Sequence, residues 1–259
     1  METRTLGCTV LAVLAMAIAT AVLWGSGLLD PGLPDYRYRL TVEVETPEGL
    51  KTGSSVIEVK TSVAGRNSIP TPGVVSRRAR GEAVTVDLGA RGEIFALLRS
   101  DENSDWASGV MFGFAPDKIP RPLDENGKFD SSAHFKARFM AMLEHRDPIE
   151  LPERFPTRSN IEGGLARPML VRFGDLTDPT TVERVDPDDL AADFGPGVRL
   201  RRITVQFTDD PVTTGIVERL SWLSYQRGSL IPIPRGTPIG EMPIGSDITE
   251  GDFYRGTMK

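Results

Sequence analysis

The chain has 259 residues, 39% of them hydrophobic and 25% charged, and carries a net charge of −6 with a pI near 5.1. The composition argues against wholesale disorder, and the acidity against a nucleic-acid partner, because phosphate binding needs a basic surface that this chain does not supply. The only cysteine, Cys8, leaves the rest of the chain without disulfide or thiol chemistry.

From Leu6 to Trp24 the chain runs nineteen residues without a charge, behind a single Arg4 and ahead of Gly25-Ser26-Gly27. A helix of that length rises roughly 28 Å, close to the thickness of a bilayer's hydrocarbon core. Residues 1–29 are therefore expected to form a short cytoplasmic tail and a transmembrane signal-anchor. The membrane is then a partner through Leu6 to Trp24, in a single pass through the inner (plasma) membrane, with a periplasmic ectodomain. Ala17-Ile18-Ala19 and Ala19-Thr20-Ala21 offer small-x-small cleavage patterns, which makes secretion after cleavage the alternative. The apolar run continues through Val22, Leu23 and Trp24, a spanning length with an interfacial aromatic, and this favours the uncleaved anchor.

Residues 30–100 read as a four-stranded antiparallel β-meander. Tyr36, Tyr38, Leu40, Val42 and Val44 alternate with Arg37, Arg39, Thr41, Glu43 and Glu45, the period of a half-buried strand. A Thr46-Pro47-Glu48-Gly49 turn leads to a second strand over 54–61 with Ile57 and Val59 inward. The arginines opposite the glutamates are expected as cross-strand ion pairs. Residues 65–80 hold Pro70, Pro72 and Gly73 and read as a loop bearing a basic cluster, Arg77, Arg78 and Arg80. Strands over 81–88 and 93–98 complete the meander.

Residues 101–167 read as a helical and proline-rich connecting region. Trp106, Val110 and Phe114 share one helical face, as do Phe135, Phe139, Met142 and Leu143, with Asp130 or Ser131 as cap. Residues 168–227 read as a smaller α+β segment, with strands over 169–173, 181–185 and 198–207. The phase of the last changes between Leu200 and Ile203, which predicts a bulge. Asp186 with Pro187 is the expected helix start, and Asp210-Pro211 repeats it before Ile216, Leu220 and Leu223. Residues 228–259, with two Pro-Ile-Gly triplets, read as an extended Pro/Gly-rich tail. The expected class is α+β, with the antiparallel β-meander packed with helices after the transmembrane helix and before the smaller α+β segment.

Residues 101–259 hold nineteen basic and twenty-six acidic side chains. Asp175, Asp178, Asp186, Asp188, Asp189, Asp193, Asp209 and Asp210 resemble a calcium or acid–base cluster, yet caps and Asp-Pro turns account for most of them. Asp101, Asn103 and Asp105 have calcium-loop spacing, but Trp106 stands where glycine is needed and Phe112 where a bidentate glutamate is needed. His134 and His145 fall about 16 Å apart along one helix and cannot share a metal. No nucleophile elbow, Ser-x-x-Lys pair or phosphate loop is present. No catalytic residue, cofactor or metal ligand is assigned.

Residues 38–59 (YRLTVEVETPEGLKTGSSVIEV) and 181–220 (TVERVDPDDLAADFGPGVRLRRITVQFTDDPVTTGIVERL) resemble segments of uncharacterised bacterial exported, membrane-anchored proteins. The resemblance spans about a quarter of the chain, implies a bacterial envelope setting and carries over no site. The expected role is binding or structural, with another envelope protein or component as partner. The alternative is a membrane-anchored, carboxylate-dependent hydrolase, for which Asp186 and Asp189 are the acids to substitute.

Overall fold

The computed structural model describes residues 32–63, 75–156, 163–233, 236–238 and 242–256. The run from Leu6 to Trp24 lies outside them, and among the described residues no helix is long and apolar enough to cross a membrane. The chain divides into two units, Met1–Pro34 and Asp35–Lys259, and the described strands and helices all belong to the second. That unit is mixed α+β, with antiparallel sheets and few helices.

The first sheet has six strands in the order β10-β3-β2-β1-β9-β6, and the second four in the order β4-β5-β7-β8. In the first, β1 (Tyr36–Thr46) is central, flanked by β2 (Gly49–Val63) and β9 (Arg199–Phe207). β3 (Val75–Glu82) joins β2, and β6 (Ile149–Glu150) and β10 (Tyr254–Arg255) form the edges. The second sheet comprises β4 (Val84–Asp87), β5 (Glu93–Ala96), β7 (Leu170–Phe173) and β8 (Val182–Arg184). The strands expected as one meander thus split: β1 and β2 stay in the large sheet, while β4 and β5 start a second one. The large sheet also takes strands from each of the four segments read along residues 30–259.

The alternation in β1 is realised residue by residue: Tyr38, Leu40, Val42 and Val44 are fully buried and the intervening polar residues half-exposed. Each large apolar side chain so buried contributes roughly 1.5–3 kcal/mol. On the polar face Arg37 meets Glu58 at 3.3 Å, Arg202 meets Glu43 at 2.7 Å and Arg199 meets Glu45 at 2.5 Å, the expected cross-strand pairs. The bulge also falls where the phase change puts it. Glu43 pairs with Arg202 and Val44 with Leu200, which leaves Arg201 as the extra residue.

Three expectations need correction. Arg77, Arg78 and Arg80 lie in β3 and not in a loop, because Ala79 packs inward while Arg80 reaches Glu58 at 3.8 Å. The helix expected over 104–114 is a four-residue turn, α1 (Trp106–Gly109), continued by a 3-10 segment (Val110–Phe114), whereas α2 (Ser131–Leu143) forms with Asp130 accepting from the Ser132 and Ala133 amides. Described residues of the segment expected as an extended tail enter the core. Leu230, Ile248 and Phe253 are buried, Thr249 and Asp252 form a capping box on α5 (Glu250–Phe253), and β10 closes the edge of the large sheet.

The two sheets meet at Gly53. Its position shares the inward face with Val42, and a Cβ there would lie 2.1 Å from the Thr85 carbonyl oxygen, so the backbone of β4 rests on β2. The other face of the second sheet packs Phe95 and Phe173 against Trp222 and Phe253, with ring centroids 5.3–6.3 Å apart.

Gly53→Ala is expected to lower unfolding free energy by about 2 kcal/mol or more, since the obstacle is backbone and cannot rotate away. Gly109→Ala, with nothing within 4 Å of the added carbon, serves as the near-neutral control. Phe253→Ala is expected to cost about 3–5 kcal/mol in the same denaturant titration, the loss of a core residue and not of a tail.

Candidate functional site

β3 runs beside β2 only as far as Glu58 and Arg80. At Gly81 (φ +149°) it turns away, and beyond Ala83 it continues as β4 in the other sheet. The edge of β2 at Ser54, Ser55 and Val56 loses its neighbour there, and buried backbone groups need partners. Thr213 supplies them at Val56, whose N donates to Thr213 Oγ1 at 3.1 Å and whose O accepts Thr213 N at 3.4 Å. What remains is a cleft of about 420 Å³ lined by Ser54, Ser55, Glu82, Thr85, Glu218 and Arg219 among others.

Glu82 is the unusual group in it. The residue is 7% exposed, and one carboxylate oxygen accepts the Ile216 amide at 2.8 Å, the first amide of α4 (Ile216–Arg219), whose N-cap Gly215 has no side chain to serve. Among the described residues no other donor and no cation within salt-bridge distance reaches Glu82. The cation lining the cleft, Arg219, is held elsewhere: it pairs with Glu93 and reaches Asp87 at 3.1 Å, and the Glu93 carboxylate raises its pKa. Ser55 Oγ donates to Ala83 O at 3.1 Å, so its lone pairs remain available to a donor. Glu218 adds a second carboxylate at the wall.

The acids singled out from the sequence are spread over the surface in local roles. Asp175 accepts from the Thr177 amide and hydroxyl, which hold its pKa low, and Asp178 caps the turn at Pro179–Thr181 through the Thr180 amide. The helix cap expected at Asp186 sits three residues later. Asp186 closes a turn on the Asp188 amide, while Asp189 caps α3 (Leu190–Phe194) through Ala192 N at 3.2 Å. Asp188 faces Arg167 and Asp193 faces Arg172. Asp209 gives its carbonyl to Arg37; Asp210 takes Thr208 Oγ1 at 2.8 Å and the Arg39 guanidinium.

Asp101 pairs with Arg184, and Asp105 accepts from Ser108 and Arg255, so the calcium-loop spacing is spent on tertiary contacts. His134 packs edge-on against Phe129 in α2, and His145 lines a second, mainly apolar opening of about 650 Å³ beside Met142 and Ile149. Among the described residues no three His, Cys, Asp or Glu side chains converge on a point.

Sequence reading did not single out Glu82, although a signal was present. It shares the phase of Val84, Val86 and Leu88, the inward phase of that stretch, where a carboxylate is out of place. Comparison of the chain with protein families, curated proteins and solved structures finds no match.

Two substitutions separate capping from chemistry. Asp189→Ala is expected to cost about 1 kcal/mol of stability and Asp189→Asn only a few tenths, the signature of a cap, read by thermal unfolding. Asp210 is held below the ordinary carboxylate range, first by Thr208 and then by Arg39. The stability it contributes is therefore present above the unfolded-state pKa and lost as pH falls through the folded one. Thr208→Ala should move the Asp210 midpoint upward in a carboxyl NMR titration.

Proposed function

We propose that this chain is a single-pass protein of the inner membrane whose extracytoplasmic body binds another envelope component. The observation that carries the proposal is the uncharged stretch from Leu6 to Trp24, long enough to span a bilayer and followed by a chain of ordinary globular composition. The resemblance of residues 38–59 and 181–220 to bacterial exported proteins supports the same setting.

A binding role, in preference to catalysis, draws its support from where the reactive groups lie. Ser54 and Ser55 line the cleft without a histidine beside them, since His134 belongs to α2 and His145 to the other opening. Asp186 and Asp189, the acids on which the hydrolase alternative leaned, are engaged in a turn and a helix cap outside the cleft lining. A cleft of about 420 Å³ with polar walls suits one extended functional group of a partner better than an enclosed substrate.

Cell fractionation tests the setting. The intact chain is expected in washed envelopes, resistant to alkaline carbonate and digestible by protease added to spheroplasts. A mature product starting near residue 20 in the periplasmic extract would favour the secreted alternative, and intact product in the cytosol would overturn both. In-cell crosslinking from membranes should then recover a defined envelope partner. Ester, peptide or glycoside turnover lost on Asp186→Asn or Asp189→Asn would replace binding with the hydrolase reading.

A further inference from the structure

We infer that the cleft between β2 and α4 is a receptor for a primary alkylammonium group, with Glu82 as the accepting carboxylate and Glu218 and the Ser55 hydroxyl completing the cradle. The inference rests on the binding role proposed above and supplies the chemical class of what is bound. It begins from the Glu82 carboxylate, which is more than nine-tenths buried, lines the opening and has a single donor among the described residues, the Ile216 amide. A carboxylate offers about four lone-pair sites, so Glu82 retains acceptor capacity that among the described residues nothing takes up.

The sign and shape of the missing group follow from its surroundings. Glu82 and Glu218 make the lining acidic, and Arg219 does not offset them because Glu93 and Asp87 already hold it. An anion is thereby excluded, and a cation with several donors is favoured. A divalent metal would need six or more oxygens, whereas the carboxyl groups here do not cluster in threes. An ammonium needs three acceptors, matching one oxygen each of Glu82, Glu218 and Ser55, while Ser54 lies on the other face of β2 and accepts Arg39 at 3.4 Å. Ser55 already spends its hydrogen on Ala83 O, which turns its oxygen toward accepting. The methylene stem of the ligand would lie over Ala83 and Ile216, the apolar part of the lining. A lysine side chain of a partner and a free polyamine present the same headgroup.

The test uses the full-length chain in mild detergent and titrates Nα-acetyl-lysine amide, its Nε-acetylated form, and putrescine, followed by calorimetry and by amide shifts at Ser55, Thr85 and Ile216. Saturable binding of the lysine amide and none of the Nε-acetylated form is expected. Glu82→Gln keeps a carbonyl for the Ile216 amide and should weaken binding about tenfold or more, the loss of a charge-assisted hydrogen bond. Glu218→Gln and Ser55→Ala should each weaken it severalfold. Tighter binding of the lysine amide than of putrescine assigns the site to a protein partner, and the reverse to a polyamine. Equal binding of acetylated and free lysine overturns the inference without any variant, as does unchanged affinity in folded Glu82→Gln. Neither failure touches the membrane setting, which fractionation decides separately.

Discussion

Backbone lying on backbone at Gly53 is the constraint from which the rest of the molecule follows. Because residue 53 has no side chain, the Thr85 carbonyl can sit where a Cβ would be, and the second sheet can rest on the first. For β4 to reach that place, β3 must leave β2 early, and it does so at Gly81, whose positive φ and close approach to Ile57 suit glycine alone. The departure strips the edge of β2, draws Thr213 in as a substitute and leaves the cleft as the space the substitute does not fill. The cleft is thus a consequence of how two sheets share one chain.

A short turn ties the layers together. In α1 the Ala107 carbonyl accepts the buried Tyr38 hydroxyl at 2.8 Å, and Ser108 accepts the Ala79 amide while donating to Asp105, which in turn holds Arg255 of β10. Trp106 Nε1 reaches Ala166 O at 3.0 Å. The Tyr38 hydroxyl, the Ala79 amide and the Trp106 indole N–H are buried, and leaving any one of them unpaired would cost about 1–3 kcal/mol. Arg99 does similar work at the C-terminal layer, pairing with Asp247 at 2.6 Å beside Asp252, whose pKa burial raises even though Thr249 and Arg99 pull it down. These ties hold Asp247, Asp252 and Arg255 against the body of the fold.

What the sequence disclosed depended on whether the deciding interactions were local. The alternation of β1, the cap at Asp130 and the extra residue near Arg201 are written in neighbouring positions, and all three are present. β3 was obscured because Arg77, Arg78 and Arg80 give a strand with one charged face the look of a loop, and only the pairing of Ala79 with Val59 reveals it. The C-terminal segment misled for the opposite reason: its prolines signal a backbone that is not helical, but burial of Ile248 and Phe253 is decided by the distant Phe95 and Trp222. Division of the strands between two sheets has no local signature, since strand period reports a face and not a neighbour.

Glu82 brings these threads together. Asp175, Asp178, Glu43 and Glu45 are satisfied close to home, by an adjacent amide or an arginine across a strand, and such groups cost the fold little. A carboxylate taken out of water beside one amide is different, because a single neutral donor offsets only part of its lost hydration. The capping duty could be met more cheaply by serine, threonine or aspartate at position 215, the usual means of satisfying a first-turn amide. Glycine there, with the carboxylate brought from another strand, places a negative charge at the floor of an opening where local helix chemistry alone would not put one. The residual acceptor capacity of that carboxylate, facing a lining whose own arginine is committed elsewhere, is what gives the cleft a chemical preference.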